Sequence, residues 1–392
     1  MTQHTIAHVT AYFHGAFGYQ ENQLALCQAA RGHRVHVLCS SRLTPWHSVP
    51  LDTAARWDQL CASQGVIVHR LPTLIELRRR PMMRGLIATL RHIRPTFIHV
   101  HGFLTLHTLV VALKVRSIGS IAVVDDHMAY VASRAPLAPL AHALCRPSIT
   151  PLILRTYSSV VAVSEEAKAF MTHRYGIPPA RIRVIPLGVN TSVFYPSQHK
   201  RLRFRATSGI DEGELLVVYS GKHDRHKDPL LLLRAAVMLW RAGLRFRVIL
   251  VGPREPNYFS SLAAYLREHH LEDRVLLHDV VPWKQLADYY NAADVAVWPC
   301  EASMSALDAL ACACPVILPD LPTNRERTRS GGGLLFASGD VADLARALHR
   351  LLTDHELRKT CSARACTYAR SLSWDAISER FLALATASPP IA

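Results

Sequence analysis

The chain has 392 residues, of which 49% are hydrophobic, so it is long enough for two globular domains and too apolar for a disordered protein. Its apolar runs fall short of the ~20 residues that span a membrane, and its nine cysteines include no CxxC pair, which favours reduced thiols over disulfides or a zinc site. The formal net charge of +15 is concentrated in residues 1–195, which hold 20 Lys and Arg against 8 Asp and Glu, and this excess indicates an anionic partner.

The first half of the chain alternates strand and helix signals. Strand-like apolar runs occur at 5–13, 34–40, 65–71, 96–102, 120–127 and 159–164. Apolar strands separated by helices are typical of a parallel sheet that is covered on both faces. The N-terminal segment lacks the basic-then-apolar order of a signal peptide, so we expect a cytoplasmic protein.

Arginine is densest at 77–95, LRRRPMMRGLIATLRHIRP, where it alternates with Leu, Met and Ile. We predict an amphipathic helix here, which either presents a solvated basic face or lies as a peripheral contact on the inner face of an anionic membrane. The segment has no aromatic side chain that could stack on bases, so it argues against a nucleic-acid partner.

The alternation restarts after residue 200, with strand-like runs at 215–221, 246–253, 274–280, 295–299, 315–320 and 332–336. We therefore predict an α/β protein with two doubly wound, Rossmann-like domains, 1–195 and 196–371, which face each other across a cleft. Ligands of such domains bind beyond the carboxyl ends of the strands, so the strand-to-helix loops should carry the chemistry.

A glycine-containing loop, FHGAFGYQEN (13–22), follows the first strand. Gly15 and Gly18 allow a tight turn, and the helix that follows favours an anion at its N-terminus. The G-x-G-x-x-G spacing of dinucleotide sites is absent, which weakens a nicotinamide or flavin interpretation. Taken alone, this loop is more often a simple turn.

Histidines mark two other strand ends of the first domain. His127 follows the apolar run of VVDDHMAY (123–130) and could donate to a substrate oxygen or act as an acid or base, unless it is only bonded within its own loop. His99 and His101 lie on one face of a strand. That spacing could suit a metal, but no third ligand is evident, so we predict packing or supporting roles for them and no metal.

The loop GKHDRHK begins where the strand at 215–221 ends. Lys222 and Lys227 are placed to straddle a diphosphate at the mouth of the strand, close to the turn at Gly221. A solvated surface loop would explain the same residues equally well.

The segment 298–320 follows another strand and is acidic at two positions. Glu301 and Asp308 stand seven residues apart, nearly two helical turns, and would share a helix face if the helix starts early. Carboxylates accept hydrogen bonds from paired hydroxyls such as those of ribose. Backbone N–H groups of an anion-friendly helix start are expected at Ser303, Met304 and Ser305. Alternatively, the two carboxylates only cap the helix and provide its solvent-exposed polar face.

Together these loops resemble the retaining, nucleotide-sugar-dependent glycosyltransferases of the GT-B fold, family four (glycosyl transferases group 1). Segment 158–196 is similar to the family's linker region, 221–236 to its donor-binding loop, and LDALACACPVI (307–317) to its LEAMACG.PVV segment. The resemblance covers nearly the whole chain and is strongest from 158 to 375. It implies that a C-terminal helix, 372–392, packs back onto the first domain.

The resemblance also implies roles for individual residues. Lys222 and Lys227 fall on the positions that grip the donor diphosphate, Asp308 on the glutamate that holds the ribose hydroxyls, and His127 on the histidine beside the transferred sugar. The catalytic group would comprise these two lysines, His127 and Glu301. Further donor-binding positions are expected at Gly15, Gly18, Gly221, Val281, Ser303, Met304 and Ser305. The family's two glutamates stand eight apart rather than seven, and here ASMS replaces its glycine-rich piece.

The implied reaction moves a sugar from a UDP- or GDP-linked donor to an acceptor, with retention of configuration and without a cofactor or metal. The basic first domain predicts an anionic or lipid-linked acceptor. The sequence leaves two alternatives open: a sugar-nucleotide epimerase of the same fold, and a non-catalytic nucleotide-binding homologue.

Overall fold

A computed structural model describes residues 3–15, 18–43, 51–77, 79–127, 146–300 and 304–387. The chain divides into two compact units. Unit 1 comprises Met1–Gly188 together with Trp374–Ala392, and unit 2 comprises Val189–Ser373. None of the helices in the described ranges combines the length and the apolar character needed to cross a bilayer.

Unit 1 is built on a seven-stranded sheet in the order β3-β2-β1-β6-β7-β8-β9, and every pair in it is parallel. The central strands consist of residues that are almost entirely buried, which is why they read as continuous apolar runs. The strands are β1 (Thr5–Val9), β2 (Arg34–Ser40), β3 (Val66–Leu71), β6 (Phe97–His101), β7 (Ile121–Asp126), β8 (Ser159–Ala162) and β9 (Ile182–Val184).

Helices connect these strands. The described helices of the unit before its chain leaves for unit 2 are α1 (Gln20–Ala30), α2 (Leu51–Ser63), α3 (Leu86–Ile93), α4 (Leu106–Ile118), α5 (Ile149–Thr156) and α6 (Glu165–Phe170). Side-chain caps fix two of their starts: Thr105 accepts from the N–H of Thr108 at α4, and Ser164 accepts from that of Ala167 at α6.

The arginine-rich segment 77–95 differs from its prediction as a single helix. β4 (Thr73–Leu77) and β5 (Arg80–Met83) form an antiparallel hairpin, and α3 begins only at Leu86. Two residues explain the difference. Pro81 lacks the N–H that a helix interior requires, and Gly85 adopts a φ of 82° immediately before the helix. Among the described residues the prediction is therefore wrong for 77 and 79–85, and it is correct for the helix that follows.

Unit 2 has a six-stranded parallel sheet in the order β12-β11-β10-β13-β14-β15. Its strands are β10 (Leu216–Ser220), β11 (Arg247–Val251), β12 (Val275–His278), β13 (Val295–Val297), β14 (Val316–Pro319) and β15 (Gly333–Phe336). Its helices are α7 (Gln198–Thr207), α8 (Pro229–Arg241), α9 (Pro256–Glu268), α10 (Leu286–Ala292), α11 (Ser305–Ala311), α12 (Pro322–Thr328), α13 (Val341–Thr353) and α14 (His355–Ser371). The predicted α/β class with two Rossmann-like domains is confirmed.

The last helix, α15 (Trp374–Ala387), belongs to unit 1. Arg31, the residue that follows α1, pairs with Asp375 at 3.4 Å and with Glu379 at 2.9 Å. The ring of Phe381 is fully buried and lies 4.4 Å, centroid to centroid, from the ring of His99 in β6. Unit 2 is thus inserted into the chain of unit 1, and its two ends are joined by a bridge between Val189 and Ser373.

Candidate functional site

The strand order of unit 2 reverses direction at β10, because β11 lies on one side of it and β13 on the other. In doubly wound sheets, the crevice outside the carboxyl ends of the strands at such a switch point is the usual ligand site. A cavity of about 200 Å³ opens there. Three residues predicted to bind the donor lie in its wall, namely Gly221, Val281 and Ser305.

The floor of this cavity depends on a close approach of two backbones. Gly221 donates its N–H to the carbonyl of Val251 at 3.0 Å, and Gly252 donates to that of His278 at 3.3 Å. Both glycines have positive φ, 159° and 148°. A Cβ on Gly252 would overlap the carbonyl of Gly221. The strand ends can therefore meet at the cavity only if residue 252 has no side chain.

The side chains around the end of β10 are hydrogen-bonded to one another. Trp298 donates its Nε1–H to the carbonyl of Ser220 at 2.8 Å, and the Ser220 hydroxyl shares a 2.6 Å hydrogen bond with that of Tyr290. All three residues are buried. The strand end is thus held in place before any ligand arrives.

Lys222 and Lys227 lie on the loop between Gly221 and α8, beside the cavity rather than in its wall. Lys222 is exposed, and its carbonyl accepts a 2.6 Å hydrogen bond from the Tyr219 hydroxyl. The backbone N–H of Lys227 donates to Asp224 Oδ1 at 2.9 Å, a bond that shapes the loop whatever the side chain at 227.

Asp308 lies in the first turn of α11, which begins at Ser305 and has Met304 as its N-cap. Burial raises the pKa of the Asp308 carboxyl to about 8. The neighbouring Tyr290 has a raised pKa because it is buried and because it faces Asp308. Glu301 and Ser303 lie outside the described residues, so the predicted pairing of Glu301 with Asp308 stays a prediction.

In unit 1 the predicted glycine loop follows β1. A Cβ on Gly15 would come within 2.9 Å of Cys61 Sγ and 3.2 Å of Trp57 Cβ, so this loop packs against α2. Gly18 lies two residues before α1. Asn22 in the first turn donates to the carbonyl of His14 at 2.9 Å, which ties the loop to the helix.

His127 lies one residue beyond β7, with 42% of its side chain exposed. Its Nε2 is 3.7 Å from Asp125 Oδ2. Asp125 is fully buried and also accepts from His99 and His101, which end the neighbouring strand β6. Sequence reasoning did not select Asp125 as a site residue. The signal that could have found it was the position of VVDD and IHVH at adjacent strand ends.

The histidines behind this carboxylate are already bonded to one another. Ring nitrogens of His8, His99 and His101 lie within 4.8 Å of each other. His8 is hydrogen-bonded to His101 and to Gln28, and His101 is also hydrogen-bonded to Asp125. Of the ring nitrogens in this group, Nδ1 of His99 has no hydrogen-bond partner among the described residues. The bonds therefore explain the cluster as a hydrogen-bonded network, and the predicted absence of a metal stays a prediction.

Family comparisons cover most of the chain. The family described as Glycosyltransferase Family 4 matches residues 22–193, and Glycosyl transferases group 1 matches residues 200–367. A D-inositol 3-phosphate glycosyltransferase from Thermobifida fusca is 30% identical over 238 residues, which are 57% of this chain and 54% of that protein. The match thus spans about half the length of this curated relative.

Solved structures match over nearly the full length. Sucrose-phosphate synthase from Thermosynechococcus elongatus has a TM-score of 0.72 at 21% identity and covers 98% of both chains. HepE from Anabaena, crystallised in complex with UDP, has a TM-score of 0.77 at 15% identity, over 98% of this chain and 100% of the other. At these identities the likeness shows the shared fold.

Proposed function

Because this chain belongs to the GT-B-fold glycosyltransferases of family four, we propose that it transfers a sugar from a nucleotide diphosphate sugar to an acceptor, with retention of configuration. The observation that carries the proposal is the cavity at the switch point of unit 2, whose wall contains Gly221, Val281 and Ser305. A UDP complex of the structural neighbour HepE supports a nucleotide ligand for this fold.

In this proposal each part of the nucleotide-sugar substrate is bound by a particular residue. The backbone at Gly221 admits the nucleotide closely, and the ammonium groups of Lys222 and Lys227 stabilise the charge that develops on the diphosphate as the sugar leaves. Asp308 binds the ribose hydroxyls, with Glu301 beside the sugar. His127 orients the sugar through a hydrogen bond to one of its hydroxyls. The two lysines supply the charge neutralisation, so the reaction needs no metal in this proposal.

Thermal stability in the presence of nucleotides tests the donor site. We expect UDP or GDP to raise the melting temperature, with a stabilisation of ~2.7 kcal/mol at a hundredfold excess over Kd. ADP serves as the comparison. With a matched donor sugar, nucleoside diphosphate should be released only when an acceptor is present. Interconversion of the sugar without an acceptor would indicate an epimerase, and no stabilisation by any nucleotide would indicate a protein without this donor site.

The acceptor in this proposal carries phosphate or a lipid, and the protein works in the cytoplasm at the inner face of the membrane. Three aliphatic side chains of the β4–β5 hairpin are more than half exposed: Leu74 (54%), Ile75 (56%) and Leu77 (59%). Arg79 and Arg84 are exposed in the same segment. Aliphatic residues interleaved with arginines suit an anionic bilayer surface, where each arginine contributes ~1 kcal/mol.

Vesicle co-sedimentation tests this surface. Replacing Leu74, Ile75 and Leu77 together by serine should reduce binding to phosphatidylglycerol-containing vesicles by about fivefold or more, because the inserted apolar area is lost. The matched control is Leu113→Ser, which changes a leucine that is 65% exposed on α4. Equal binding by the triple variant, or equal binding of the wild type to pure phosphatidylcholine, would contradict an anionic membrane contact at the hairpin.

A further inference from the structure

Asp125 is a buried carboxylate on which three side chains from two elements converge. Its Oδ2 accepts from Gln20 Nε2 of α1 at 2.8 Å, from His99 Nε2 of β6 at 2.9 Å and from His101 Nδ1 at 3.1 Å. The backbone N–H of Gly102 lies 3.4 Å from Oδ1. A carboxylate with this many donors is fixed in orientation, and the ionised form is the one that these donors favour.

A second row of buried groups lies behind His101. Nε2 of His101 is 3.1 Å from His8 Nδ1, and Nε2 of His8 is 2.8 Å from the side-chain amide of Gln28. If the amide of Gln28 is turned so that its NH₂ group donates to His8, each ring donates toward the next and His101 donates to Asp125. This orientation also gives a partner to the amide nitrogen, which otherwise has none among the described residues. In that arrangement every hydrogen bond from Gln28 to Asp125 is donated in the direction of the carboxylate.

His8 and His99 do not balance the charge of Asp125. Burial lowers the pKa of His8 well below its usual value and that of His99 to about 4, so both are neutral near pH 7. Burial alone would raise the pKa of Asp125, but the facing His101 and His99 hold it well below its usual range. A buried ionised carboxylate gains most from a counter-charge that stays in contact with water. His127, at the rim, has that position.

We propose that Asp125 is a positioning residue for the transfer reaction: it holds the Nε2 side of the His127 imidazolium so that the opposite Nδ1–H faces the substrate. The ion pair between Nε2 and Oδ2 sets which nitrogen is turned inward. The backbone N–H of His127 donates to Asp126 Oδ1 at 3.0 Å, which fixes the main chain under the ring. The substrate role rests on the proposed function, whereas the ion pair itself does not.

The other carboxylates around His127 act on its pKa in the same direction as Asp125. Glu21 faces it from the start of α1 and Asp126 from its own strand, and both raise its pKa. The side chains of His99 and His101 in β6 also lie next to it. Burial is the largest single influence on the pKa of His127 and lowers it, but Asp125, Glu21 and Asp126 together raise this pKa above its ordinary value. The raised pKa favours the protonated ring of His127, and in that form both ring nitrogens donate.

Histidine ring ¹⁵N NMR on the full chain tests the proposal without relying on activity. The signal of His127 is identified by its loss in His127→Gln and followed against pH. We expect a pKa above the ordinary 6.5 in the wild type and a fall of about one unit or more in Asp125→Asn, which keeps the side-chain shape and removes the charge. The matched control is Asp126→Asn, which keeps the oxygen that accepts from the His127 N–H and should shift the pKa less.

Three results would overturn the proposal: a wild-type His127 pKa at or below 6.5, an unchanged pKa in Asp125→Asn, or an equal fall in Asp126→Asn. The first of these results can be obtained from the wild type alone, so it tests the proposal even if the Asp125→Asn and Asp126→Asn variants fail to fold. If the transfer reaction is present, the alkaline limb of its pH profile should move to lower pH in Asp125→Asn by the same amount. If the pKa of His127 shifts as expected but no sugar transfer is found, the inference of an ion pair stands and the proposed function is refuted.

Discussion

Replacing Lys227 with alanine is expected to lower kcat/KM for sugar transfer by about 10²- to 10³-fold, because the departing diphosphate loses one of the two ammonium groups that neutralise it. The loop should keep its shape. The Lys227 backbone N–H, not its side chain, bonds Asp224 Oδ1, and α8 starts at Pro229 with its own preset geometry. Initial rates with a matched donor, measured together with the melting temperature, separate lost chemistry from lost fold.

Two further variants make this result specific. Lys227→Arg retains the charge and should recover a large part of the rate, since neutralisation by a point charge does not require an ammonium in particular. Lys359→Ala removes an exposed lysine of α14, in the same unit, and should leave the rate unchanged. A full rate in Lys227→Ala, or an equal loss in Lys359→Ala, would refute the assignment of Lys227 to the diphosphate.

The second large effect is expected at Gly252, where alanine should destabilise the protein by ~3 kcal/mol or more. The added Cβ would overlap the carbonyl of Gly221, and residue 252 has a φ of 148° that side-chain-bearing residues rarely adopt. Relief of the overlap requires β10 and β11 to separate at their carboxyl ends. Nucleotide binding should therefore weaken even in molecules that remain folded. Denaturant unfolding and a nucleotide titration measure the two effects.

Gly243→Ala is the matched control for this substitution. Gly243 has a φ of 89°, also unfavourable for alanine, but a Cβ there would meet open space. Its replacement should cost only the backbone strain, ~1 kcal/mol, and leave nucleotide binding intact. If the two variants were equally destabilised, the overlap with Gly221 would not be the cause.

Local patterning was enough to predict the architecture. The central strands of both sheets are buried on both faces, so each appears in the sequence as a short, continuous apolar run. The helix predicted from 77 failed for a local reason. Arginines interleaved with aliphatic residues have helical periodicity, but Pro81 and Gly85 break the backbone that this periodicity assumes.

The candidate site was only partly accessible to the same reasoning. Gly221, Val281 and Ser305 come from three separate parts of the sequence. Strand-end and helix-start patterns selected Gly221 and Ser305, and the resemblance to a family added Val281. Asp125 was passed over because its significance depends on partners from distant parts of the sequence. Gln20 is 105 residues away from it and His99 is 26 residues away. No single window of sequence contains these contacts, and the only signal for them in the sequence was the position of VVDD and IHVH at the ends of adjacent strands.

The insertion of unit 2 between Gly188 and Trp374 constrains the order of events during synthesis. The ribosome synthesises α15 only after all of Val189–Ser373 has been made. Until then, Arg31 at the end of α1 lacks its partners Asp375 and Glu379, and the ring of His99 lacks its contact with Phe381. The nascent first unit therefore exposes part of its interior while the inserted unit is being made. That interval is when a holding chaperone would be most useful to this protein.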